Sequence, residues 1–97
     1  MNKLDMNTIT KDIQKRFDDI EENIESLADK AENTSEDMKN KIMEQVNTLR
    51  ERRQKAQKEF DELKSSSESA WKKLKDGINH SLDSIDVAIN QAKKEFN

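Results

Sequence analysis

The side chains that could carry acid–base or metal chemistry in this chain are few, and their spacing suits neither. His80 is the single histidine, and Asp83 follows three residues later, so one helix face could offer two ligands to a metal ion. A metal site needs three or four ligands, and the chain has no cysteine that could supply them. We therefore expect His80 to lie on the solvated surface and the chain to hold no metal.

The many acidic residues lack the pattern of a binding loop. No stretch alternates Asp or Asn around a central glycine, as a calcium-binding loop does. Because Gly77 is the single glycine, neither a phosphate-cradling loop nor a nucleophile elbow can form. The sequence therefore predicts no catalytic residues, no cofactor and no enzymatic activity.

A basic cluster is the strongest candidate for a charged binding patch. Between positions 50 and 58 it holds five bases and one acid, the bases being Arg50, Arg52, Arg53, Lys55 and Lys58. Such a patch could bind nucleic acid or anionic lipid, but no aromatic residues alternate with the bases for stacking. Residues 17 to 37 carry nine acids against one base and could neutralise the cluster. The sequence favours this internal pairing over nucleic-acid binding.

The composition indicates an all-α chain. Of 97 residues, 31% are apolar and 40% are charged, with no proline and a net charge of -3, so the chain can build only one narrow domain spanning residues 1–97. Helix-forming residues fill the polar positions, and turn residues typical of hairpins are scarce. The N-terminus has no apolar run of a signal peptide, and no stretch of eighteen apolar residues occurs. We therefore expect a cytoplasmic location.

The apolar residues recur at a helical spacing that we call the seam. Successive positions lie three or four residues apart, about 3.6 on average, which is the repeat of an undistorted α-helix. The stripe is narrow, as in a coiled coil, and it is polar only at Thr34, Arg53 and Ser67. Its positions are Ile9, Ile13, Phe17, Ile20, Ile24, Leu27, Ala31, Thr34, Met38, Ile42, Val46, Leu49, Arg53, Ala56, Phe60, Leu63, Ser67, Trp71, Leu74, Ile78, Leu82, Ile85, Ile89, Ala92 and Phe96.

Two polar runs divide the seam into three helices. Thr34 and Ser67 lie in runs rich in helix-capping residues, which predicts an antiparallel bundle of helices at about 4–32, 35–64 and 67–96, each roughly 45 Å long. Asn33 with Glu36, and Ser65 with Glu68, have the spacing of a capping box. An alternative has one continuous helix over 3–64 followed by helix 67–96. The long helix then pairs antiparallel with a second chain in a domain-swapped dimer, and residues 5–32 of that chain take the place of the first segment.

Folding back at Thr34 would bring opposite charges together. It would place Asp18 and Asp19 level with Arg53, and Arg50 level with Glu21. We also expect the rings of Phe60 and Trp71 to meet across the second turn. The residues expected in the core or at a helix–helix interface are Phe17, Ile20, Leu49, Phe60, Leu63, Trp71, Leu74 and Ile78.

The second half of the chain resembles a group of small bacterial coiled-coil proteins of unknown function. The likeness lies in the LRxRR run from Leu49 to Arg53 and in the LKxxSxxAWxxLKxG pattern from Leu63 to Gly77. Where the group commonly has glycine after the serine that matches Ser67, this chain has Glu68. The resemblance implies an all-helical rod or bundle, loosely similar to apolipophorin-type lipid-surface helices, and implies no activity.

These observations favour a non-enzymatic structural or protein-interaction role. The expected partner is a second copy of the chain or another helical protein. One alternative is a lipid-surface protein, since the third helix has aromatic residues at both ends, Trp71 and Phe96, and lysines near each. A third is a nucleic-acid-binding or inhibitory module that uses the basic cluster at 50–58.

Overall fold

The protein forms three helices in a computed structural model that describes residues 3–96, with side chains from residue 5 onward. The helices are α1 (Lys3–Glu32), α2 (Glu36–Lys64) and α3 (Glu68–Glu95). No strand occurs in this part of the chain. The predicted all-α three-helix bundle is confirmed, and the expected helix boundaries are each correct to within a residue.

Serine residues begin the second and third helices, each two residues later than the capping-box spacing suggested. Ser35 and Ser67 are the N-caps, and the Oγ of each accepts a hydrogen bond at 3.4 Å, from the backbone N–H of Met38 and of Ala70 respectively. Both caps have extended backbone angles. The expected caps Asn33 and Ser65 were wrong, because their side chains donate back to carbonyls of the preceding helix.

The chain turns at residues 33–35, so the continuous 3–64 helix is not the arrangement adopted. The backbone N–H of Asn33 donates to the carbonyl of Lys30 at 3.1 Å, and its side-chain amide donates to the carbonyl of Asp29 at 3.2 Å. These bonds satisfy carbonyls that the end of α1 leaves open. A helix can therefore end here without glycine or a positive φ angle.

The core is formed by seam residues of all three helices, which pack against one another. Every buried residue of the described chain belongs to the seam, and each helix contributes six of them. Thr34 and Ser67 lie exposed in the turns, while Ile9, Met38, Leu74 and Phe96 are partly buried near the ends of the helices. The buried residues are Ile13, Phe17, Ile20, Ile24, Leu27, Ala31, Ile42, Val46, Leu49, Ala56, Phe60, Leu63, Trp71, Ile78, Leu82, Ile85, Ile89 and Ala92.

The bundle is a short rod that measures 52 × 18 × 17 Å. Its up-down-up path makes α2 antiparallel to both neighbours, and it makes α1 parallel to α3. α2 packs closely against both neighbours along its length, whereas α1 and α3 approach each other less closely. Since three narrow apolar stripes close one core, a single chain completes the bundle.

The aromatic contact in the core differs from the one expected. The rings of Phe17 and Phe60 lie 5.4 Å apart with an interplanar angle of 31°, and within the described residues no contact joins the rings of Phe60 and Trp71. Side chains of α2 near Phe60, such as Glu59, line a groove with His80 and Ser81 of α3. At the height of Phe60 along the rod, the neighbouring part of α3 is therefore near Ile78. Ile78 lies more than one helical turn after Trp71 in α3.

Candidate functional site

The basic cluster does not form one patch, because its members point in different directions around α2. Each residue of a helix is rotated by about 100° from the one before, so positions 50, 52, 53, 55 and 58 spread around most of the circumference. Arg53 faces α1, whereas Arg52 and Lys55 face α3. The continuous binding patch expected at 50–58 is therefore replaced by separate basic sites.

Among the described residues, one member of the basic cluster forms an ion pair within the chain. Arg53 lies 3.6 Å from a carboxylate oxygen of Glu21, rather than pairing with Asp18 or Asp19 as expected. The other four bases are exposed and form no ion pair within 4 Å in the part of the chain that the structure describes; they are Arg50, Arg52, Lys55 and Lys58. Of the internal pairing expected with residues 17–37, the described chain shows the contact of Arg53 with Glu21, and the expected pair of Arg50 with Glu21 does not form there. The four exposed bases remain available to a partner.

Arg53 fits into the seam through its stem and its guanidinium plane. Its Nε donates to the carbonyl oxygen of Phe17 at 3.3 Å, and its Cζ lies 5.6 Å from the centroid of the Phe17 ring. Its side chain is 23% exposed, so the charged end reaches solvent. Arg53, the charged position of the seam, therefore covers the Phe17 ring of the aromatic pair and does not interrupt the packing of the seam.

A groove runs between α2 and α3 on the side of the bundle away from α1. One cavity of about 290 Å³ is lined by Arg52, Lys55, Ala56, Glu59, His80, Ser81, Ser84 and Ile85. A second cavity of about 220 Å³ continues along the same two helices and shares Arg52; its other lining residues are Gln45, Thr48, Leu49, Ala88, Gln91, Ala92 and Glu95. The groove therefore has a partly apolar floor. Its α2 edge carries both basic residues and Glu59, and its α3 side has mainly small side chains, with Glu95 at one end.

The α2 edge of this groove forms a row whose charge changes sign along the rod. The row comprises positions spaced alternately by four and three residues, which lie on one helix face. Its basic members precede Glu59, and its acidic members follow Lys55. We call it the α2 groove row, and its members are Lys41, Gln45, Thr48, Arg52, Lys55, Glu59 and Glu62.

A second row of alternating spacing runs along the outer face of α1. It lies roughly opposite the buried stripe of that helix, and all its members are exposed. It is basic at Lys11 and Lys15 and acidic from Asp18 onward. We call it the α1 outer row, and its members are Lys11, Lys15, Asp18, Glu22, Glu25 and Asp29.

The parallel pair α1 and α3 is joined by a polar cluster that sequence reasoning missed. Arg16 Nη2 donates to Asp83 at 2.8 Å and to Asp86 at 3.0 Å, and its Nη1 donates to Asn79 at 3.4 Å. Partial burial alone would lower the pKa of the Arg16 guanidinium, but hydrogen bonds and charge attraction from the two carboxylates raise that pKa above its ordinary value. The spacing of Asp83 and Asp86, which lie on one face of α3, was the clue in the sequence.

A second polar contact joins the same two helices further along the rod. Lys93 Nζ donates to the side-chain oxygen of Asn23 at 2.8 Å. The two contacts lie seven residues apart on α1, about two helical turns. Charged and polar groups therefore fix the register of α1 against α3.

The expected core residues lie where a helical bundle needs them. Leu74 is partly buried, and the other seven are buried. The apolar face of α3 on which lipid binding depends is therefore turned inward, and Val87, 56% exposed, is the one large exposed apolar residue among those described. None of the described helices has an apolar stretch long enough to cross a membrane.

His80 is exposed on the rim of the groove beside Arg52 and Lys55. Within the described residues, no three His, Cys, Asp or Glu side chains come together in a way that could hold a metal ion. His80 and Asp83 therefore have no third ligand beside them.

Comparison with models of protein families, with curated proteins and with solved structures gave no match. The resemblance to small bacterial coiled-coil proteins stays a prediction.

Proposed function

We propose that this chain is a non-enzymatic protein-interaction module, a short helical rod that binds another helix in the groove between α2 and α3. The observation that carries the proposal is the groove itself, with Arg52 and Lys55 exposed along its edge and without an ion pair to any residue that the structure describes. A groove between two packed helices is a common binding site for a third helix. The partner is a helical protein with acidic side chains.

The size of the groove supports a helix rather than a small molecule. Its two cavities are shallow, follow the helix axis and join at Arg52. The small side chains of Ser81, Ser84 and Ala88 leave room for a backbone to approach α3. A partner helix laid here would lie over the groove floor, where Ile85 and Ala56 are buried.

Site-specific photo-crosslinking in living cells tests this function. A photoreactive amino acid at Ser84, in the groove, is expected to give a discrete protein adduct that mass spectrometry identifies. The matched control carries the same group at Gln54, which is exposed and lies outside the groove. Adducts at neither position, or equal adducts at both, would remove the groove as the binding site.

A further inference from the structure

We infer that the groove binds the outer face of α1 from a second copy of this chain, so that rods associate side by side in the same orientation. The inference rests on the proposed function, because it uses the same groove and names its occupant. It is carried by the match between the α1 outer row and the α2 groove row in charge and in height along the rod.

The heights of the two rows are fixed by contacts inside one chain. Arg53 of α2 touches both the carbonyl of Phe17 and the carboxylate of Glu21. Because α1 and α2 are antiparallel, residue numbers rise along one helix as they fall along the other. Two residues at the same height along the rod, one from each helix, therefore have residue numbers whose sum is nearly constant. Arg52 is therefore level with Glu22, and Lys55 is level with Asp18.

The same rule applied along the rod pairs opposite charges at four heights, and it places Glu25 and Asp29 level with the uncharged Thr48 and Gln45. Toward the α2–α3 turn, Glu59 and Glu62 lie level with Lys15 and Lys11. The α1 outer row changes from basic to acidic between Lys15 and Asp18, and the α2 groove row changes between Glu59 and Lys55. Both changes of sign fall at one height. A neighbouring rod placed alongside without axial displacement therefore meets complementary charge on both sides of this point.

Near the change of sign, the opposite side of the groove does not disturb this match. There α3 presents Ser81, Ser84 and Ala88, which carry no charge, and His80 at the rim, whereas the acidic Glu95 lies at the far end of the groove. The incoming α1 would lie antiparallel to α2 and parallel to α3, as α1 already does inside its own bundle. The second copy thus repeats an arrangement of helix directions that this sequence has already adopted.

This geometry allows association to continue from one copy of the chain to the next without closing into a dimer. The α1 outer row and the groove lie on opposite sides of the rod, so each copy uses one surface to bind and offers the other to the next copy. Exposed ion pairs are weak and are screened by salt, so the association is reversible and depends on ionic strength. A closed dimer would require both surfaces to meet at once, which their placement on opposite sides prevents.

Sedimentation equilibrium of the full chain tests the inference. At low ionic strength, we expect the average mass to rise above the 11.3 kDa of one chain as protein concentration increases, and to fall back toward it when salt is added. A mass of one chain at every concentration up to about 1 mM would overturn it. So would an association that salt leaves unchanged.

Two neutralised variants identify the surfaces. Asp18→Asn with Glu22→Gln alters the α1 outer row, and Arg52→Gln with Lys55→Gln alters the groove; each is expected to weaken self-association about tenfold. Mixed in equal amounts, the two variants are expected to form a heterodimer that does not grow, because one supplies an intact groove and the other an intact α1. All four residues are exposed, and circular dichroism checks that the helices are retained.

A charge-matched control separates specific pairing from a change in net charge. Arg50→Gln with Lys58→Gln also removes two positive charges from exposed positions of α2, but outside the groove row. It is expected to leave self-association unchanged, and an equal loss would overturn the inference. If the chain stays monomeric while the crosslinker at Ser84 captures a different protein, self-association fails and the proposed function stands.

Discussion

Arg53 and Phe17 are joined twice, since the Nε of Arg53 donates to the Phe17 carbonyl at 3.3 Å and its guanidinium carbon lies 5.6 Å from the Phe17 ring centroid. The Phe17 ring in turn lies 5.4 Å from that of Phe60. Each ring of the aromatic pair therefore has its own cation, Arg53 over Phe17 and Lys64, whose Nζ lies 4.7 Å from the ring centroid, over Phe60.

Replacing Arg53 with alanine is expected to lower the free energy of unfolding by about 1–2 kcal/mol. The variant loses the cation–π contact, the hydrogen bond and the packing of the aliphatic stem. Urea denaturation followed by circular dichroism measures the change. Arg50→Ala is the control: Arg50 is exposed and forms no ion pair with the described residues, so its replacement is expected to change the free energy of unfolding by less than about 0.5 kcal/mol. Equal effects would show that Arg53 is not part of the core.

Removal of the Phe17 ring is expected to cost about 3–5 kcal/mol, because the residue is fully buried and its cavity cannot close. Phe17→Leu keeps most of the volume and should cost less. The same urea titration gives both values, and Val87→Ala, at the exposed apolar position, is expected to stay within about 0.5 kcal/mol of the wild type. A Phe17→Ala protein as stable as the wild type would contradict the packing of the two phenylalanines.

Gly77→Ala is expected to stabilise the protein by about 0.5–1 kcal/mol. Gly77 lies inside α3, its φ is not positive, and a Cβ built on it has no atom within 4 Å. Alanine would therefore restrict the unfolded chain without a steric clash in the bundle. For a domain of this size the gain corresponds to a rise in Tm of roughly 2–8 °C, which a thermal melt detects. A lower Tm would mean that the site requires glycine.

Arg16→Met is expected to destabilise the bundle by about 1–2 kcal/mol. Methionine keeps much of the stem, but Asp83 and Asp86 lose their shared cation and Asn79 loses a donor. The Arg16 side chain is 31% exposed, so the loss should shrink as salt is added. Lys15→Met provides the control, because Lys15 is an exposed neighbour that forms no ion pair within the described part of the chain. Equal destabilisation by both changes would show that the polar cluster does not hold α1 to α3.

The three helices and their core were predictable because the seam has one helical period and few interruptions. Burial follows that stripe closely: Phe17, Leu49 and Ile78 lie in its middle and are buried, whereas Leu74 and Phe96 lie near helix ends and are partly exposed. The position of each turn followed from Thr34 and Ser67. Patterns along the chain are enough for such features because apolar periodicity determines which face of each helix is buried.

Features that depend on how the helices meet were less predictable. The serine run contains several residues that could cap α3, and local spacing did not single out Ser67. The ring contact depended on an axial offset between α2 and α3, which moved Phe60 away from Trp71. Arg16 was missed because its partners lie on α3, more than sixty residues away, and spacing along the chain does not indicate which residues of so distant a helix it faces.

The two short turns also determine the order in which the bundle assembles. Contacts between α1 and α2, and between α2 and α3, close small loops, so little chain entropy is lost when they form. The contact of Arg16 with Asp83 closes a loop of 67 residues and costs more chain entropy. With no proline in the chain, slow peptide-bond isomerisation does not delay this contact. We expect a helical hairpin to form in the folding transition state and the α1–α3 contact to close after it. In chevron measurements, Arg16→Met should then accelerate unfolding and leave the folding rate nearly unchanged, and a slower folding rate would reverse that order.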